Sequence, residues 1–96
     1  MMNKIEEHKN LCNKLNELYS KKNAAYGDSF GDTFQKLGII SAITRITDKY
    51  NRLVTLSTNP KIPFGDESIK DTLIDLSNYC LMTILEIERS EDNKHE

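Results

Sequence analysis

The chain contains no run of about eighteen apolar residues, so no segment of it is expected to span a membrane. Its first ten residues, MMNKIEEHKN, lack the apolar core of a signal peptide, and a cytoplasmic protein is expected. Cysteine is scarce. Cys12 and Cys80 stand far apart with no C-x-x-C, which argues against a thiol redox pair or a zinc knuckle. Each falls on an apolar helical stripe and reads as a packing residue. Neither sign of charge dominates: 13 basic against 15 acidic residues leave a formal net charge of −2. That balance gives no electrostatic reason to expect binding to duplex nucleic acid. The two histidines, His8 and His95, stand alone, so no Ser–His–Asp arrangement is in view, and neither cysteine has a helper that would make it a nucleophile. Internal repeats, low-complexity stretches and the alternation of a β-strand are all missing.

What remains is helical periodicity. Ile5, His8, Leu11, Cys12, Leu15, Leu18 and Tyr19 fall three or four apart and predict a helix over residues 3–21. The segment KKNAAYGDSFGD, residues 21–32, carries two glycines, two aspartates and a serine and reads as a loop. Asp32 with Gln35 resembles a capping box opening a second helix over 33–57, with an adjustment at Gly38. Ile39, Ile43, Ile46, Tyr50 and Leu53 form its stripe. Two prolines and a glycine make 57–66 a loop. A third helix follows over 67–89, capped by Asp66 or Ser68, and the polar tail 90–96 is expected to fray. The fold class is therefore all-α: a single domain over residues 1–96, with three main helices in a small bundle.

The third helix has two characters. Ile69, Leu73, Leu76, Cys80, Ile84 and Ile87 share one face, while Ile74, Leu81 and Leu85, then Tyr79 and Met82, extend apolarity round most of the circumference. A helix apolar nearly all round is buried nearly all round. Three helices of a 96-residue chain do not supply that cover, so the bundle is expected to be completed by homo-oligomerisation. The beginning of the same helix is acidic: Glu67, Asp71 and Asp75 stand at i, i+4 and i+8. Arg45, Asp48, Lys49 and Arg52 cluster on the second helix, off its apolar stripe, so that three cations would meet three carboxylates. Three readings follow. The faces are solvated or paired with each other. Or Glu67, Asp71 and Asp75 hold Mg²⁺, which takes oxygen ligands and favours phosphate. Or the arginines and lysine grip a phosphate directly.

Three stretches, KKNAAYGDSF (21–30), RITDKYNRL (45–53) and DESIKDTLIDLSNY (66–79), resemble in order the motifs of the nucleotide modification associated domain 1 family. The resemblance covers about residues 10–87. Members of that family are small helical proteins found largely in phages and prophages. The family is in turn similar to MazG-like all-α nucleoside triphosphate pyrophosphohydrolases, which assemble as helical bundles and bind Mg²⁺ and triphosphate through paired E-x-x-E and E-x-x-D motifs. This chain departs from those motifs. Its third-helix acids step by four, its second helix offers only Asp48 among Arg45, Lys49 and Arg52, and Glu6 and Glu7 make no E-x-x-E.

The resemblance implies a nucleotide-type small-molecule partner, with no resident cofactor beyond the Mg²⁺ that a hydrolase would need. In the binding reading, Lys22, Arg45, Lys49 and Arg52 hold phosphates. Asp48, Glu67 and Asp71 orient them or accept from a ribose or base edge. Tyr26 and Phe30 stack on a base, and Gly27 lets the backbone turn or approach closely. Such a protein would sequester a modified nucleotide or a nucleotide immune signal as an anti-defence factor in the host cytoplasm, with its sites near subunit interfaces. The alternative is an Mg²⁺-dependent pyrophosphohydrolase in which Glu67, Asp71 and Asp75 are catalytic and hold the metal. A third class is a protein–protein interaction module using the broad apolar third helix.

Overall fold

The structure, a computed structural model, describes residues 2–94. It contains four helices, α1 (Lys4–Tyr26), α2 (Ser29–Leu37), α3 (Ile39–Thr58) and α4 (Glu67–Lys94), and no strand among the described residues. The all-α class holds, but the helix count is four rather than three. Gly38 is the reason. Its φ of 74° breaks the expected 33–57 helix, and its N–H donates to the Phe34 carbonyl at 2.7 Å to close α2. The Gly38 carbonyl then accepts from the backbone N–H and the hydroxyl of Ser41, which starts α3.

The stretch expected as a loop over 21–32 is mostly helix. Nothing in Lys21–Tyr26 breaks the backbone pattern, so α1 runs to the first glycine, Gly27 (φ 72°), whose N–H donates to the Asn23 carbonyl. Asp28, not Asp32, caps the next helix: its Oδ1 accepts from the Gly31 N–H at 3.1 Å. A Cβ on Gly31 would run into that carboxylate, so the cap depends on glycine there. Asp32 instead sits in the first turn of α2, where the helix dipole favours an acid. At the far end α4 continues through 90–94, where a frayed tail was expected; His95 lies outside the described residues.

α3 and α4 form an antiparallel hairpin, as the pairs Lys49–Asp75 (3.2 Å) and Arg52–Thr72 (3.3 Å) require. Their contact is lined by small residues. Ala42, Thr72 and Thr83 are buried, and each threonine turns its hydroxyl back onto the carbonyl four residues earlier (Ser68 and Tyr79). That local bond satisfies the hydroxyl and leaves its methyl for packing. α2 joins through Phe34 and a Gln35–Glu86 hydrogen bond, and α1 through Asn78 Nδ2 donating to the Leu15 carbonyl at 3.1 Å.

The single chain has almost no core. Phe34 and Ala42 are the buried hydrophobic residues among those described, and no large side chain is fully enclosed. Cys12 and Cys80 are exposed, as is His8, whose Nδ1 lies 3.8 Å from the Cys12 sulfur. The expectation that the cysteines pack in a core therefore fails within one chain: both side chains stay exposed on their stripes.

Asp66 caps α4, accepting from both the backbone N–H and the hydroxyl of Ser68. These bonds, the hydroxyl first, hold its carboxyl below the usual aspartate range. A depressed pKa contributes stability that is present above the unfolded value and lost as pH falls through the folded one. Thermal melts of Asp66→Ala should therefore show a lower Tm than the parent at pH 7. The gap should narrow as pH falls below about 3.9 and close once the parent's carboxyl is protonated. A gap that persists in strong acid would assign the effect to something other than the charged cap.

Candidate functional site

Two helical faces with one spacing meet on one side of the hairpin. Tyr19, Lys22, Asn23 and Tyr26 lie at i, i+3, i+4 and i+7 on α1; Asp75, Asn78, Tyr79 and Met82 repeat that spacing on α4. Between them, closed at one end by the Gly27–Phe30 turn and at the other by Arg45 of α3, is a cavity of about 280 Å³. Phe30 packs on Tyr79 with ring centroids 5.9 Å apart and planes tilted by 31°. With Tyr19 and Tyr26 they make a pocket rich in aromatic faces, although Tyr26 itself is 79% exposed.

A second hollow, about 430 Å³, lies against Arg45, Asp48, Lys49, Arg52 and Tyr79. Arg45 and Tyr79 line both, so an aromatic cavity opens directly onto a basic trough. Asp75 stands at the junction. Its Oδ1 is 3.6 Å from Lys22 Nζ and its Oδ2 is 3.2 Å from Lys49 Nζ, which ties α1, α3 and α4 together. Arg52 donates through Nε to the Thr72 hydroxyl oxygen, which itself donates to the Ser68 carbonyl. That bond orients the guanidinium and leaves its terminal nitrogens to the trough. Among the described residues, neither Arg45 nor Arg52 forms an ion pair. Four cations (Lys22, Arg45, Lys49, Arg52) thus face Asp48 and Asp75, with Asp28 at the rim engaged in capping α2. The local balance, four minus three, is positive in a chain whose net charge is −2.

Of the residues singled out from sequence, Lys22, Tyr26, Gly27, Phe30, Arg45, Asp48, Lys49 and Arg52 are brought to this combined groove, together with Asp75. Glu67 and Asp71 are not. They line a separate hollow of about 680 Å³ beside the first half of α1, with His8, Leu11 and Lys14. The cause is helical drift: each step of four residues overshoots a full turn by about 40°, so two steps carry a side chain from the α1 side of α4 to the α3 side. Only Asp75 reaches the basic residues, and the expected meeting of three acids with three cations does not form. Among the described residues no group of three or more His, Cys, Asp or Glu side chains is placed to hold a metal ion.

Tyr19, Asn23, Asn78, Tyr79 and Met82 also line the cavity and were not singled out. Their signal is the repeated i, i+3, i+4, i+7 pattern, which in sequence is masked because Tyr19, Tyr79 and Met82 read as parts of apolar faces. Asn78 has a fixed amide orientation, because only its nitrogen can donate to the Leu15 carbonyl.

A family model described as nucleotide modification associated domain 1 matches residues 22–87, and the chain belongs to that family. The match takes in every residue of the combined groove except Tyr19. No curated protein and no solved structure matches the chain significantly.

Asp75 competes with any anion for Lys22 and Lys49. Asp75→Asn should strengthen binding of inorganic tripolyphosphate, measured by titration calorimetry at low salt, by roughly two- to fivefold, the range of a partly exposed ion pair. Weakened binding would instead make Asp75 a group that orients the ligand.

Proposed function

We propose that this member of the nucleotide modification associated domain 1 family binds a nucleotide-type small molecule without turnover, in the cytoplasm of the cell that makes it. The observation that carries the reading is the continuity of the aromatic cavity with the basic trough at Arg45 and Tyr79. A nucleotide has the same two-part chemistry. Its base takes the π-faces of Tyr26, Phe30 and Tyr79. Its phosphates lie along Arg45, Lys49 and Arg52, where planar guanidinium groups suit paired phosphate oxygens. Lys22 reaches the junction between the two parts. Gly27, with φ 72°, makes the turn that brings Phe30 over Tyr79.

Several features favour holding over hydrolysis. Glu67 and Asp71 lie off the groove, and Asp75 is neutralised by two lysines. A stoichiometric binder of this kind suits sequestration of a modified nucleotide or a nucleotide-derived immune signal of the sort a phage would need to withhold. The bundle is completed by self-association. The alternative is the MazG-like Mg²⁺-dependent pyrophosphohydrolase. It is favoured by one observation, that Asp48 of α3 and Asp75 of α4 both border the groove where phosphates would lie.

Native mass spectrometry of the protein, before and after addition of a nucleotide pool with Mg²⁺, separates the two. Intact nucleotide retained at fixed stoichiometry supports the binder; triphosphate lost with monophosphate released makes the protein a hydrolase. Arg45→Ala and Arg52→Ala should each weaken retention about tenfold or more, the value of a charge-assisted hydrogen bond, with helicity unchanged by circular dichroism. If both variants retain nucleotide as the parent does, the phosphate assignment is wrong.

A further inference from the structure

The groove occupies one side of the α3–α4 hairpin. α2 and the C-terminal half of α1 lie over that same side, as the Phe30–Tyr79 and Gln35–Glu86 contacts require. The other side is apolar and largely exposed, bordered by the 57–64 loop only at its Leu53–Leu73 end. On α3, Ile39, Ile43, Tyr50 and Val54 are each 42–57% exposed. On α4, Leu73, Ile84 and Ile87 are 36–52% exposed, and Cys80 between them is exposed as well. The helices are antiparallel and each stripe is offset to the same side of the mutual contact, so the two stripes lie edge to edge on one surface. Ile46, Leu53 and Leu76, half-buried, fill the seam between them. From Ile69 to Ile87 the α4 stripe carries no charged residue, and from Ile39 to Val54 the α3 stripe carries none.

The area exposed is large. A compact protein of 11.0 kDa presents about 5,600 Å² to solvent; this chain presents 7640 Å². Its radius of gyration, 15.6 Å, exceeds the roughly 12–13 Å of a compact chain of its length. The excess of roughly 2,000 Å² per chain is the amount an obligate homodimer removes from each partner.

We propose that a second copy of this chain covers the α3–α4 apolar face. The pairing is isologous: the hairpin of one protomer lies on the hairpin of the other about a two-fold axis, and the four helices make a bundle. The seam residues Ile46, Leu53 and Leu76, with Ile43, Cys80 and Ile84, become its core. Self-complementarity favours a second copy over a foreign protein, because two stripes without charged residues meet their own image without unpaired charges. The two ligand grooves then lie on opposite outer sides of the dimer, away from the interface rather than near it, each built from one chain. This inference does not depend on what the groove holds.

The two cysteines provide the test in the unaltered protein. Sedimentation at micromolar concentration should give a dimer or an even multiple of it. A maleimide pulse read by peptide mass spectrometry should label Cys80 at least about tenfold more slowly in native protein than in urea, as local opening of a covered site requires. Cys12, outside the face, is the control for reagent access. Ile84→Glu should shift the mass towards monomer or unfold the chain, and either result leaves the labelling of the parent decisive. A monomeric parent would overturn the proposal. So would an oligomer in which Cys80 reacts within a few-fold of its unfolded rate, because the surface in use would then be another one.

Discussion

Everything in this molecule hangs on the close contact of α3 with α4, and that contact depends on Ala42, Thr72 and Thr83. Helices approach closely only where the side chains between them are small. Threonine would be a costly choice at a dry contact, since a buried hydroxyl without a partner is penalised. Here each hydroxyl is bonded within its own helix, to Ser68 or Tyr79, so the residue behaves as a small apolar one. Thr72 goes further: its oxygen also accepts from Arg52 and so couples the packing of the hairpin to the orientation of a cation in the trough. The same contact divides the hairpin into two sides. One receives α2 and the end of α1 and becomes polar and aromatic. The other receives only the 57–64 loop, at its Leu53–Leu73 end.

The charge arrangement follows from this division. Lys49 is half-buried at the groove edge and must find a counter-charge; Asp75 supplies it and engages Lys22 as well. An acid shared between two lysines is only partly available to either, and the arginines flanking it form no ion pair among the described residues. A groove balanced this way keeps a surplus of positive charge. More carboxylates on this side would close the groove electrostatically; fewer would leave Lys49 half-buried without a partner.

The legible part of the sequence was its periodicity and its punctuation. The apolar stripes of α3 and α4 and the proline loop between them place the hairpin, and the cations Arg45, Lys49 and Arg52 can be seen to lie off the α3 stripe. The last five residues of α1, Lys22–Tyr26, read as loop in the sequence because glycine and aspartate follow them. A glycine at C′ is as much a helix stop signal as a loop signal, and Gly27 is the stop. In sequence Gly38 reads as an adjustment within one helix, whereas its positive φ ends α2 and begins α3. The site was half legible. Single residues with obvious chemistry, Lys22 and Arg45 among them, stood out. The walls formed by Tyr19, Asn78 and Met82 did not, since their role comes from two helices facing each other and not from either helix alone. The three acids misled because i, i+4, i+8 looks like a line in sequence but is a slow spiral on the helix, and the 80° accumulated from Glu67 to Asp75 separates the side facing α1 from the side facing α3.

A short chain that gives one side of its α3–α4 hairpin to a polar groove has little left for a core. The two demands compete for the same helical circumference: each turn of α4 given to Asp75, Asn78 and Tyr79 is withheld from apolar packing within the chain. The apolar residues are not absent; they are displaced to the opposite face as Leu73, Ile84 and Ile87, where a third to a half of each side chain stays exposed. Burial withheld from α4 in this way leaves 96 residues with an open groove and an apolar face that their own chain covers only in part. The open groove and the bare apolar face are therefore two consequences of one division of α4, and a change that enlarged a single-chain core would have to take its positions from the groove.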